Sequence, residues 1–238
     1  MITLRIDIAL VAVCLFVCTD QARAQAAPKH AEGAQWSESI AEAVEAGRLT
    51  TRVERGRALY QVCSECHRPT GAGASDGTMP QLAGQHSSVL IKQMLDIRSG
   101  LRRNPSMYPF VARLDGPQDL ADLAAYIEAL PIPDENGQGP GLDLERGKRL
   151  YDENCLRCHG ENGEGSAGGF YPRLAGQHYR YLVRQLIDIA GGRRGNANPD
   201  MADSVKDFSA RDVANVADYV SRIHIDSPGA DAEPETRR

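Results

Sequence analysis

The sequence predicts an all-α protein made of two tandem copies of one small domain, related by internal duplication. Three features of the 238-residue chain point there: a long self-match, helical spacing of apolar residues in both halves, and a Cys-x-x-Cys-His segment that occurs once per half. No stretch alternates apolar and polar residues well enough to read as a strand.

Taken in order, the chain begins with Arg5, an apolar run from Ile8 to Val17 and Ala22-Arg23-Ala24. Residues 1–24 therefore read as a cleaved secretory signal, cut after Ala24 or, as second choice, Ala26, and they predict a periplasmic protein. The run is too short to span a bilayer. Its removal also takes away Cys14 and Cys18, leaving Cys63, Cys66, Cys155 and Cys158. Residues 25–51 form an N-terminal extension, with a short helix expected over 37–47.

The first domain is placed at 52–130 and the second at 143–226, because Arg55-Gly56 through Tyr60 answers Arg146-Gly147 through Tyr151. Leu82-Ala83-Gly84-Gln85-His86 recurs as Leu174-Ala175-Gly176-Gln177-His178, and Asn104-Pro105-Ser106-Met107 as Asn198-Pro199-Asp200-Met201. The offset drifts only from 91 to 94 residues. One long period present twice indicates duplicated domains, not a solenoid. Residues 131–142, rich in Pro and Gly, read as the linker, and the polar tail over 227–238 as disordered.

Each copy reads as three main helices. Val53, Leu59 and Val62 lead into the first cysteine pair, as Leu144, Leu150 and Tyr151 lead into the second. A middle helix carries Val89, Leu90, Gln93, Met94 and Ile97 and stops near Gly100; its counterpart runs from Tyr181 to Ile189 and stops at Gly191-Gly192. A last helix carries Leu120, Leu123, Ala124 and Ile127, matched by Val213, Val216, Ala217 and Val220. Gly56 with Tyr60, and Gly147 with Tyr151, predict that the first helix crosses the last closely, near Tyr126 and Tyr219. Tyr60 stands three residues before Cys63, whereas Tyr151 stands four before Cys155. That mismatch predicts a shortened or rotated entry helix in the first domain.

Charge narrows the function. The chain carries a formal −5, yet the first domain holds nine basic against eight acidic residues and the second twelve against twelve. The second count is for residues 143–224, and Asp226 adds one more acid at the domain's end. Neither half has the basic excess of a nucleic-acid binder. Aromatic residues make up only 5%, so a large flat cofactor would help to fill two such small cores.

Cys63-Ser64-Glu65-Cys66-His67 and Cys155-Leu156-Arg157-Cys158-His159 supply that cofactor's anchor. Two thiols and an imidazole within about one helical turn suit covalent haem c, each thiol adding across a porphyrin vinyl group while the imidazole reaches iron. A zinc half-site, a dithiol pair or, in an exported chain, two disulfides are the competing readings. Duplication of the whole motif with its histidine favours two haems c.

A sixth ligand is expected on each iron. Met107 and Met201 occupy matching Asn-Pro-x-Met segments, 40 and 42 residues beyond His67 and His159, and are expected in a loop between the middle and last helices. Met94 reads as core filling. His86 and His178 are rival ligands, with capping or packing as their alternative use. Pro80 and Pro172 each fall thirteen residues after the proximal histidine, where a carbonyl could fix the imidazole tautomer. Arg102-Arg103 and Arg193-Arg194 either reach haem propionates or face solvent.

With these residues in hand, the chain resembles the dihaem cytochrome c4 family from about Arg52 to His224. The resemblance implies two class I cytochrome c domains with haems near the interdomain surface. It assigns Cys63, Cys66, His67 and Met107 to one haem and Cys155, Cys158, His159 and Met201 to the other. It implies no catalytic residue and a non-enzymatic electron carrier whose partners are redox proteins, such as a terminal oxidase or a quinol-oxidising complex. Peripheral membrane association is compatible with that role. An electron-accepting subunit of a periplasmic dehydrogenase is the main alternative, and a dihaem peroxidase-type enzyme a further one.

Overall fold

The computed structural model describes residues 39–224. The leader, the cut site, the first part of the extension and the tail lie outside the described residues. Helix α1 covers 39–47 and buries Ala43 and Ala46 on the first domain's core. That domain then runs through α2 (Val53–His67), α3 (Ser87–Ser99), the short α4 (Tyr108–Val111) and α5 (Gly116–Ala129). The second repeats the plan with α6 (Leu144–Asn154), α7 (Leu156–His159), α8 (Tyr179–Ala190), α9 (Pro199–Val205) and α10 (Ala210–Val220). Among the described residues the only β pairing outside helices is an isolated bridge between Ser166 and Tyr171.

Each core is built on one close helix crossing. At Gly56 a Cβ atom would overlap the Asp122 carbonyl oxygen, and at Gly147 the Asn215 carbonyl oxygen, so only glycine lets these backbones approach. The tyrosine one turn further on seals the crossing. Tyr60 packs its ring 5.4 Å from Tyr126, and Tyr151 lies 5.6 Å from Tyr219. Their hydroxyls donate to the Arg68 carbonyl at 2.9 Å and the Gly160 carbonyl at 2.6 Å, which ties each entry helix to the residue just after its Cys-x-x-Cys-His segment. Leu90, Leu95, Leu120, Leu123 and Ile127 complete the first core; Leu182, Val216, Ala217 and Val220 complete the second.

The Tyr-to-Cys mismatch is resolved in the direction opposite to that expected. In the first domain α2 runs unbroken through all five motif residues. In the second, α6 ends at Asn154, Cys155 adopts φ −117°, and α7 restarts for one turn. The second domain has one more residue between its tyrosine and its cysteine, and the break absorbs it.

Helix ends follow the predicted punctuation. α3 stops at Gly100 in the left-handed region, and α8 at Gly191. α10 opens with a capping box in which Ser209 and Asp212 satisfy each other's backbone N–H groups. The segment over 131–142 lies along the second domain. Asn136 Nδ2 donates to the Gln177 and Ser221 carbonyls, both at 2.8 Å, and the Gly141 N–H donates to Asp218.

Candidate haem-binding site

The two Cys-x-x-Cys-His segments sit in equivalent surroundings. His67 and His159 are 3% and 5% exposed. Each ring is fixed by the proline carbonyl anticipated from the sequence, His67 Nδ1 lying 3.1 Å from Pro80 O and His159 Nδ1 2.9 Å from Pro172 O. A carbonyl only accepts, so Nδ1 carries the proton and Nε2 keeps its lone pair. Burial pushes both imidazoles below the ordinary histidine value, which holds them neutral. Nε2 of His67 is buried with no hydrogen-bond partner among the described residues.

The sulfur atoms agree with this arrangement. The four cysteines among the described residues form no disulfide, and neither motif closes on the other. Burial raises the Cys63 thiol and pushes Cys155 up to about 12. A pocket that favours neutral sulfur suits a thioether and opposes a thiolate held by zinc. A buried neutral imidazole, with Nε2 orphaned at His67, beside a cysteine pair whose first thiol burial keeps neutral, is the donor set that haem c requires.

The two methionines occupy unlike local structures. Met107 sits just before α4, with its N–H donated to the Asn104 side chain at 3.2 Å. Met201 is not in a loop. It lies in the first turn of α9, where Asn198 caps the helix and Pro199 opens it. Asn-Pro is a helix start, so the short helix was readable from the same residues. Both methionines are half-buried, and Met94 packs against the first core as core filling.

His86 and His178 reach across the seam between the domains. Their backbones are the N-caps of α3 and α8. His86 Nε2 lies 2.8 Å from the Glu164 carbonyl, and His178 Nε2 2.8 Å from the Ala72 carbonyl. The preceding glutamines do the same with both ends of their amides. Gln85 donates to the Arg173 carbonyl and accepts from the Arg173 N–H, each at 2.9 Å. Gln177 pairs with the backbone of Gln81 at 3.0 Å in both directions. The duplicated Leu-Ala-Gly-Gln-His segments therefore form a clasp with pseudo-twofold symmetry. The repeat itself marked these residues, but their partners are backbone groups of the other copy, which leave no trace in a sequence.

The arginine pairs divide. Arg103 and Arg193 are exposed, whereas Arg102 and Arg194 enter the seam and share Gln93 and Gln185 as acceptors.

Comparison with known proteins gives a consistent picture. The profile of the Cytochrome c family matches residues 53–131 and again 144–223. Cytochrome c4 of Azotobacter vinelandii is 36% identical over 185 residues, covering 71% of this chain and 88% of that protein. A thiosulfate dehydrogenase electron acceptor of Stutzerimonas stutzeri is 34% identical, covering 68% of this chain and 78% of its own. Among solved structures, reduced cytochrome c4 from Pseudomonas stutzeri superposes with a TM-score of 0.66 at 28% identity, covering 74% of this chain and all of that one.

Proposed function

The chain belongs to the dihaem cytochrome c4 family, with one haem c bound covalently in each half, and from that premise we propose that it shuttles electrons between periplasmic redox partners. The observation that carries the reading is the equivalence of the two sites. Each half offers a neutral proximal imidazole, locked by a proline carbonyl and thus ready to bind iron through Nε2. Cys63 and Cys66 would hold one haem, with His67 and Met107 as the ligands to its iron. Cys155 and Cys158 would hold the other, with His159 and Met201.

When bound, the haem supplies a one-electron couple, and a thioether axial ligand raises its potential. The protein's part is to hold the imidazole and thioether still, so that little reorganises when charge moves. The hydrogen bonds that His67 and His159 donate to the Pro80 and Pro172 carbonyls serve that end. With His67 and Met107 committed to one iron and His159 and Met201 to the other, no position would be left open for a substrate, which supports a carrier over a peroxidase-type enzyme.

Export through a cleaved leader at residues 1–24 supports a periplasmic location. No helix among the described residues is long and apolar enough to cross a membrane. The acceptor in the shuttle reading is a terminal oxidase. The similarity to a protein named thiosulfate dehydrogenase electron acceptor favours a second reading, in which the donor is a periplasmic dehydrogenase.

The oxidised protein is expected to show the weak sulfur-to-iron charge-transfer band of two haems, and Met107→Ala and Met201→Ala each to remove about half of it. An unchanged band in either variant rejects that ligand. A redox titration with added peroxide and carbon monoxide tests the role: both irons should stay inert, and reaction at one iron would favour the enzyme.

A further inference from the structure

The two haem sites differ at one matched position. Tyr171 and Met79 each stand immediately before the proline whose carbonyl holds the proximal histidine. Each also closes its loop in the same way, the Ser166 N–H donating to the Tyr171 carbonyl and the Ala74 N–H to the Met79 carbonyl, both at 2.9 Å. Their side chains bring unlike chemistry. The Tyr171 ring centroid lies 6.4 Å from that of His159, tilted by 57°, and its hydroxyl hydrogen-bonds the Cys158 sulfur. Met79, at the equivalent place in the first domain, has no O–H to offer.

The loop that carries Tyr171 is held from the opposite domain. His86 Nε2 lies 2.8 Å from the Glu164 carbonyl, and Ser88 Oγ donates to the Ala167 carbonyl at 2.7 Å. Phe170, the residue just before Tyr171, packs its side chain against the core of the first domain. It does so at φ 56°, in the left-handed region that a bulky residue rarely adopts. Such a conformation persists only where the surroundings over-determine it. Here the first domain's core supplies the hold, and Tyr171 is left beside His159. The counterpart of Phe170 is Thr78, which is exposed and bonds Asp76 within its own loop, through N–H at 2.9 Å and Oγ1 at 2.6 Å.

We infer that Tyr171 is the residue that raises the second haem's potential relative to a site built with Met79, and that Phe170, anchored in the opposite domain, is its positioning residue. A thioether sulfur at Cys158 has lone pairs and no proton, so the phenol is the donor. A donor at that sulfur draws electron density from the edge of the macrocycle and favours the reduced iron, in the way that hydrogen bonds around a redox centre tune its potential. The inference rests on the two haems of the preceding reading and is independent of which residues are the sixth ligands.

The test is a spectroelectrochemical titration of the holoprotein and its variants, with the mass of the denatured chain counting the haems. Tyr171→Phe keeps the ring and removes the hydroxyl: one of the two potentials should fall and the other should stay. Met79→Tyr, which gives the first site the missing hydroxyl, should raise the potential that Tyr171→Phe leaves alone. Phe170→Ala should reproduce the fall, and Phe170→Leu, which restores apolar bulk, should recover it in part. A purely structural role for these residues would move both potentials or neither. In NMR spectra of the reduced protein, the Tyr171 ring should show cross-peaks to the Cys158 β-protons, and the Phe170 ring to methyl groups of the first domain's core. Two haems with unmoved potentials in Tyr171→Phe would overturn this inference alone, as would equal shifts of both. A missing haem would overturn the preceding reading together with it. Should a Phe170 variant not fold, the wild-type cross-peaks decide in its place: Phe170 contacts to the first domain support the anchor, and contacts confined to its own domain reject it.

Discussion

The two domains reach the same site geometry through different local structure. In the first, one helix carries Tyr60, both cysteines and His67 without a break; in the second, the helix stops at Asn154 and resumes for a single turn. Even so, the tyrosine hydroxyl bonds the carbonyl after the histidine in both, and the proline carbonyl bonds Nδ1 in both. What stays constant is the set of bonds made at the haem-facing end; helix continuity is adjustable. The seam differs as well. The first domain buries a Lys92–Asp96 pair at 3% and 0% side-chain exposure, where the second has the exposed Arg184 and a half-buried Asp188. Each of these contrasts can be broken experimentally.

The largest difference is expected at the matched aspartates. Asp96→Ala leaves Lys92 buried without its carboxylate and should cost about 3–5 kcal/mol. Asp188→Ala removes a bond to the exposed Arg193 and should cost about 0–1 kcal/mol. Denaturant unfolding of the two variants measures the gap, and equal losses would show that the halves of the seam are equivalent after all.

A smaller difference lies just past the proximal histidines. Arg68 adopts φ 65° and ψ 156°, a region nearly reserved for glycine, and its counterpart is Gly160 at φ 81° and ψ 170°. Arg68→Gly should therefore stabilise the protein by about 1–3 kcal/mol, while Gly160→Ala should destabilise it by a similar amount. Thermal unfolding with both haems in place reads the two signs.

The smallest effect concerns the clasp histidines. His178 accepts the Gly137 N–H at Nδ1 and places Nε2 against the Ala72 carbonyl, so its ring must be neutral. Burial lowers its proton affinity accordingly. The unfolded chain takes up a proton at the ordinary histidine value of about 6.5 that the fold refuses. Stability from this residue is thus complete above that pH and declines as pH falls below it, by at most about 1.4 kcal/mol per pH unit. His86 instead faces Glu128, whose carboxyl is held low by hydrogen bonds from His86 and Ser87. In titrations of stability against pH, His178→Gln should flatten the acid slope relative to the unsubstituted protein. His67 and His159 contribute equally to both proteins and cancel in the comparison.

The sequence by itself determined the duplication, the helix order, the haem attachment points and the proline carbonyls behind them. These rest on short segments or on matches between copies: two thiols and an imidazole within five residues need only one helical turn to meet. Gly56 and Gly147 also announced their crossings, because little else explains glycine inside an apolar helix face. Only the tertiary structure decided that His86 and His178 clasp the opposite domain, that Arg102 and Arg194 turn into the seam while Arg103 and Arg193 stay out, and that the extra residue breaks the second entry helix. The physical reason is common to the first two. Their partners are backbone carbonyls and shared amide side chains roughly a hundred residues away, and a carbonyl, present at every position, carries no residue identity to read.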